Sequence, residues 1–142
     1  MNLRYIIDAN ILLSILISGK SQYINLLSLF EFILPDFALV EINLHKDVVM
    51  SKTKLDQVQF RNYSYTIFSL LKFIPSFIHQ DISVANAVKL CTPIDIKDIS
   101  YVSLDLDSNL TLLTRDEKLY KGLRKQGFKN VELFENFLSK YI

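Results

Sequence analysis

Apolar positions along this chain fall into two rhythms. Short, nearly unbroken apolar runs, Leu3 to Ile7, Phe32 to Leu34, Leu110 to Leu113 and Val131 to Leu133, have the length of buried strands. A further short strand is expected within Phe73 to His79, beside Pro75. Between the runs the spacing turns helical, over about Asn10–Ile17, Gln22–Leu29, from Asp36 onward, Leu55–Lys72, Ile82–Leu90, Asp95–Leu106, from about Glu117 to Lys125, and Phe134–Tyr141. Gly19-Lys20-Ser21, Pro35, Ser51 to Lys54, Thr92-Pro93 and Gly127 punctuate them. Strands alternating with helices predict a three-layer α/β/α sandwich around a mostly parallel sheet.

Two polar interruptions of this pattern carry information. The first run ends in Asp8-Ala9-Asn10, where Asn10 is expected to cap the following helix and Asp8 is left beside β-branched neighbours. An ionised carboxylate in such a setting needs a compensating partner, and a bound cation is one. On the helix that begins at Asp36, Phe37, Val40, Leu44 and Val48 share one face while Asn43, Lys46 and Met50 lie opposite. Glu41 falls inside the apolar arc, with no Lys or Arg at the spacing of a helical ion pair on its face. This helix and Leu55–Lys72 are expected to pair as an antiparallel hairpin with a basic tip. Asp8 and Asp116 both stand where a strand passes into a helix, the edge at which parallel sheets bind ligands.

Composition narrows the classes. With 142 residues, half of them hydrophobic, and only three Gly and three Pro, the chain suits one packed domain over residues 1–142. Sixteen Lys and Arg against fifteen Asp and Glu leave no bulk field, so a charged partner must be held locally. The single cysteine, Cys91, excludes an internal disulfide and a multi-cysteine zinc site, and its default role is a buried, inert thiol. Asp8 and Asn10 interrupt the N-terminal apolar run, and the uncharged stretch Ala9–Gly19 is too short to span a bilayer. The expectation is a cytoplasmic protein with no membrane association.

The acids lie in a recognisable order: Asp8-Ala9-Asn10 after the first strand, Leu39-Val40-Glu41-Ile42 in the helix after the second, the stretch Asp95 to Leu104 containing Asp98, and Leu112-Leu113-Thr114-Arg115-Asp116. In this order and context the chain resembles, over essentially its whole length, the PIN domains, a family of metal-dependent nucleases that includes the VapC-type toxins. The resemblance implies a metal-binding and catalytic quartet of Asp8, Glu41, Asp98 and Asp116, with Asn10 and Thr114 as polar supports of the same site. It further implies one or two Mg²⁺ or Mn²⁺ ions, endonucleolytic hydrolysis of RNA, a homodimer and a small antitoxin partner. Hard divalent cations favour oxygen ligands, which is why such a site is built from carboxylates.

Local roles compete for several of these residues. Thr114 and Glu117 have capping-box spacing, and Asp116 in that turn would complement a helix dipole. Asp95 suits an N-cap and is assigned to it, while Asp105 is expected to be a solvated acid and His45 to reach at most the edge of the site. Tyr63 and Tyr65 are candidates for base stacking if exposed. Among basic residues near the acids, including Lys52, Lys54, Arg61, Lys118, Lys121, Arg124 and Lys125, Arg115 is the chosen substrate contact because it adjoins Asp116. A haloacid-dehalogenase-type phosphatase would need an acid where Asn10 stands, and a receiver domain would need an acceptor Asp on a middle strand and a late Lys, neither of which can be placed. The alternative with more weight is a PIN-like scaffold of weak catalysis that binds RNA or a protein.

Overall fold

The computed structural model describes residues 3–141. Strands β1 (Arg4–Ile7), β2 (Glu31–Pro35), β3 (Leu71–Ile74), β4 (Thr111–Thr114) and β5 (Val131–Leu133) form one sheet in the order β3-β2-β1-β4-β5. Every neighbouring pair is parallel. Parallel pairing requires a crossover between successive strands. The helices supply the crossovers: α1 (Ala9–Ser18), α2 (Ser21–Leu29), α3 (Phe37–Leu44), α4 (Lys46–Lys52), α5 (Gln57–Ser69), α6 (Asp81–Cys91), α7 (Ile99–Ser108), α8 (Glu117–Lys125) and α9 (Phe134–Leu138).

Consecutive residues of a strand face opposite sides of the sheet. Ile6 and Ile7, Ile33 and Leu34, and Leu112 and Leu113 are all buried, so both faces of the central strands are covered. Each such side chain stabilises the fold by about 1.5–3 kcal/mol. On one side α7 packs against β1, β2 and β4 with α6 beside it, while α1 packs with α3, α4 and α5. The expected α/β/α sandwich results.

From β1 the chain winds outward through β2 to β3, then crosses back to β4 on the other side of β1 and continues to β5. The strand order therefore reverses between β1 and β4. Their C-terminal ends, in register through Ile7 and Leu113, open the crevice where ligands bind in such sheets.

Several local expectations are corrected. Asp8, not Asn10, caps α1: its Oδ1 accepts the Ile11 N–H at 2.9 Å. The expected single helix from Asp36 breaks at His45 into α3 and α4. Its predicted apolar face is largely outside the core, with Val40, Leu44 and Val48 all exposed, because Ala38 and Val49 are the residues turned inward. The next helix ends at Ser69 instead of Lys72, and the third strand occupies Leu71–Ile74, leaving Ser76–Ile78 as a short 3₁₀ turn. Asp56 and Gln59 start α5 with a reciprocal capping box.

Candidate active site

The site is assembled at the β1/β4 crevice. Asp8 follows β1, is 5% exposed and has both oxygens engaged, Oδ1 by the Ile11 N–H and Oδ2 by the Thr114 hydroxyl at 2.9 Å. Thr114, the last residue of β4, is fully buried, and its oxygen accepts the Asp116 N–H at 3.1 Å. It thus links the first acid to the last, so the capping-box role proposed for Thr114 is replaced. Asp116 itself caps α8, with Oδ1 accepting from the Leu119 N–H at 3.1 Å.

Glu41 reaches the crevice from α3. The hydroxyl of Tyr101, on α7, donates to its Oε1 at 2.5 Å and accepts the Ala9 N–H at 3.1 Å. Burial and the hydrogen bond to Glu41 push the Tyr101 pKa upward, so the phenol keeps its proton. Asp98 stands at the entry to α7, reached through a 3₁₀ turn whose cap is Asp95, as expected.

A cleft of about 320 Å³ is lined by Asn10, Phe37, Glu41, Leu44, His45, Asp95, Lys97, Asp98 and Asp116. Asp8 and Thr114 are not on its surface. Asp8 nevertheless belongs to the same electrostatic unit: burial, opposed by its two hydrogen bonds and reinforced by Glu41 and Asp116, raises its pKa to about 6. Asp98 is raised to about 7 by burial, then by Asp95, Asp8, Asp116 and Glu41. No Lys or Arg lies within ion-pair distance of any of the four acids among the described residues. The donor set is therefore hard, oxygen-rich and short of positive charge, which suits a divalent cation. Among the described residues, no three of these groups stand close enough together to form a ready-made metal shell.

Arg115 is not where the sequence reading puts it. Its Nε pairs with Glu135 at 2.9 Å and its guanidinium lies 5.3 Å from the centre of the Phe134 ring, which draws it to α9 and out of the cleft lining. The cationic group that does line the cleft is Lys97, which the sequence reading passed over although it lies between Asp95 and Asp98. His45 lines the cleft as well. Asp105 is the largest departure: it is fully buried on α7 instead of solvated, with neither oxygen hydrogen-bonded among the described residues. Tyr63 is buried and donates to the Ile15 carbonyl, leaving only Tyr65 of that pair exposed. Cys91 is buried, and desolvation raises its thiol to about 12, in keeping with an inert role.

The decisive comparison is with a sequence profile described as PIN domain, which matches residues 6–135. The chain belongs to the PIN-domain family. PIN domains are generally nucleases and typically use divalent metals, which gives this member its coarse assignment as a PIN-type hydrolase. Two solved structures share its fold. The crystal structure of PAE2754 from Pyrobaculum aerophilum is 16% identical, with 99% of this chain and 97% of that one covered and a TM-score of 0.65. VapBC2 from Rickettsia felis, bound to a DNA fragment from its promoter, is 19% identical, with 92% and 97% covered and a TM-score of 0.60. No curated protein matches the sequence. Among the described residues, no helix of this PIN domain is long and apolar enough to cross a membrane.

Proposed function

We propose that this PIN domain is a divalent-metal-dependent endoribonuclease, with Asp8, Glu41, Asp98 and Asp116 as its metal-binding set. The observation that supports the reading is that Glu41, Asp98 and Asp116 line one cleft, that the buried Asp8 is close enough to raise and be raised by them, and that no Lys or Arg pairs with any of the four among the described residues. Uncompensated carboxylates at this density are costly, and they would repel a phosphate backbone. Mg²⁺ or Mn²⁺ bound there would neutralise the acids, polarise the scissile phosphate and lower the pKa of an attacking water.

The chain's own residues have distinct parts in this scheme. The buried Thr114 hydroxyl and the Ile11 N–H hold Asp8 beneath the cleft, so its carboxylate acts from a fixed position. Asp116 commits Oδ1 to capping α8 and keeps its second oxygen for the site. Asn10 lines the cleft as a neutral polar support, and Lys97 and His45, on the same lining, would offer contacts to RNA phosphates.

The toxin reading adds a protein partner and a homodimer. A separate groove of about 260 Å³, lined by Leu39 and Met50 together with Phe60 and Phe68, with Leu39 and Met50 exposed, is the apolar surface an antitoxin would cover.

The test is cleavage of a panel of single-stranded and structured RNAs with Mg²⁺, Mn²⁺ or EDTA, comparing the wild type with Asp8→Asn and Asp98→Asn purified identically. Metal-dependent cleavage absent from both folded variants supports the assignment. Equal cleavage by the variants marks a contaminant, and an inert wild type that binds RNA all the same would move the chain to the class of binding scaffolds.

A further inference from the structure

Tyr101 lies three residues after Asp98, within the first turn of α7. Its side chain is almost completely buried, yet its hydroxyl ends between two other parts of the site. The oxygen accepts from the Ala9 N–H at 3.1 Å and the proton goes to Glu41 Oε1. Ala9 directly follows Asp8. One phenol therefore touches or adjoins the segments that carry three of the four acids.

The direction of its hydrogen bonds is determined. A tyrosine hydroxyl has one proton to give. Because the Ala9 amide donates to the oxygen, moving the phenol away would strand a buried backbone donor as well as release Glu41. Glu41 is half-buried on a helix whose neighbouring residues Val40 and Leu44 are exposed, so little else restrains its long side chain. Its Oε1 is taken by Tyr101, and Oε2 has no hydrogen-bond partner among the described residues.

We propose that Tyr101 is a positioning residue for Glu41, engaging one carboxylate oxygen within the fold so that the other is presented to a divalent cation in the cleft. The inference rests on the metal-dependent reading of this site and adds to it the group that sets the geometry of one ligand. Outer partners of this kind orient ligating carboxylates, and their loss lowers metal affinity by about 10- to 100-fold. Ordering Glu41 before the cation arrives removes a conformational cost from binding.

The experiment is a calorimetric Mn²⁺ titration of wild type, Tyr101→Phe, Glu41→Gln and the double variant, each verified as folded by circular dichroism in EDTA. The expected result is Mn²⁺ binding by the wild type, about 10- to 100-fold weaker binding by Tyr101→Phe, and no further loss when Tyr101→Phe is added to Glu41→Gln. Wild-type binding with an unchanged Tyr101→Phe affinity overturns the positioning role while leaving the metal site standing. A wild type that binds no Mn²⁺ overturns the metal reading and this inference with it. An equal loss in the Glu41→Gln background shows that Tyr101 acts through the fold, which also overturns it.

Should Tyr101→Phe fail to fold, wild-type protein labelled with ¹³C at the tyrosine Cζ gives the answer. Mg²⁺ must shift one buried tyrosine resonance in wild type and leave it unmoved in Glu41→Gln. A resonance indifferent to Mg²⁺ in the wild type overturns the proposal.

Discussion

Asp105 offers a stability experiment whose sign and size follow from its surroundings. It is fully buried on α7, the helix that packs on β1, β2 and β4, and neither carboxylate oxygen has a partner among the described residues. Desolvation raises its pKa from 3.8 to about 8. The Leu112 N–H opposes that shift only weakly, because it already donates to the Asn130 carbonyl at 2.9 Å. The folded protein thus holds Asp105 protonated at neutral pH.

Near pH 4 both folded and unfolded chains approach the protonated form, and what remains is the cost of a neutral carboxyl buried without partners. Between about pH 4 and pH 8 the unfolded chain releases this proton while the folded chain retains it, so stability falls as pH rises. Each unit is worth about 1.4 kcal/mol, which makes the whole loss on the order of 5 kcal/mol and the loss by pH 7 about 4 kcal/mol. Above pH 8 both states are ionised and the decline levels off. Asp105→Asn has nearly the same shape and no proton to lose, although its amide remains buried without partners, a cost of about 1–3 kcal/mol that does not vary with pH. Urea unfolding of both proteins at pH 5, 6, 7 and 8 in EDTA isolates the effect, since the other raised acids are common to both. The stability of the variant relative to the wild type should rise by roughly 4 kcal/mol between pH 5 and pH 8. Parallel stability curves across that range would refute the argument.

Other outcomes follow from the same structure. The raised pKa values of Asp8, about 6, and Asp98, about 7, mean that protons compete with metal below neutrality. Mn²⁺ affinity should therefore climb between pH 5.5 and 7.5, by up to about tenfold per unit for each proton displaced, and calorimetry in two buffers of different ionisation enthalpy should detect proton release. Thr114→Val removes the donor to Asp8 Oδ2 and the acceptor for the Asp116 amide, so it should lose about 1–3 kcal/mol in urea unfolding. Lys97→Ala should raise the KM for RNA several-fold with little change in kcat, measured by initial rates at graded RNA concentration, because Lys97 lines the cleft without holding any of the four acids. Asp56→Ala breaks the capping box of α5 and should cost about 1 kcal/mol in thermal or urea unfolding while leaving metal affinity intact.

The parts of this site that were legible in the sequence are those governed by short-range rules. Apolar runs such as Tyr5-Ile6-Ile7 can be covered on both faces only in a central parallel strand, and an acid at the end of such a run must lie at the strand's C-terminal edge. Asp8 and Asp116 therefore belong at the same edge of the sheet on sequence alone. Sequence is silent where one residue satisfies two rules and only the tertiary fold chooses. Asn10 was the expected cap, and the Asp8 carboxylate takes that role instead from a position just before the helix that also brings it to Thr114, 106 residues away in the chain. Thr114 had an equally good local partner in Glu117 and gave it up for a buried acid that needs a donor more. Arg115 is the same case on the surface: next to Asp116 in sequence, it turns to Glu135 and the Phe134 ring, where ion pairing and stacking act together.

Tyr101 and Asp105 show the remaining reason for illegibility. Helical periodicity ranks positions by polarity, so a tyrosine three residues after an acid reads as core, and an acid between Leu104 and Leu106 reads as solvated. In the fold, α7 runs across the sheet from the cleft, and its residues meet β1, β4 and α3 at different depths. The hydroxyl of Tyr101 finds both a donor and an acceptor at the cleft end. Asp105, four residues farther along the same helix, is equally buried and finds neither. Burial alone does not assign a polar residue to a site; the difference between these two is whether the groups facing them complete their hydrogen bonds, and that is decided by segments 60 and 92 residues distant from Tyr101.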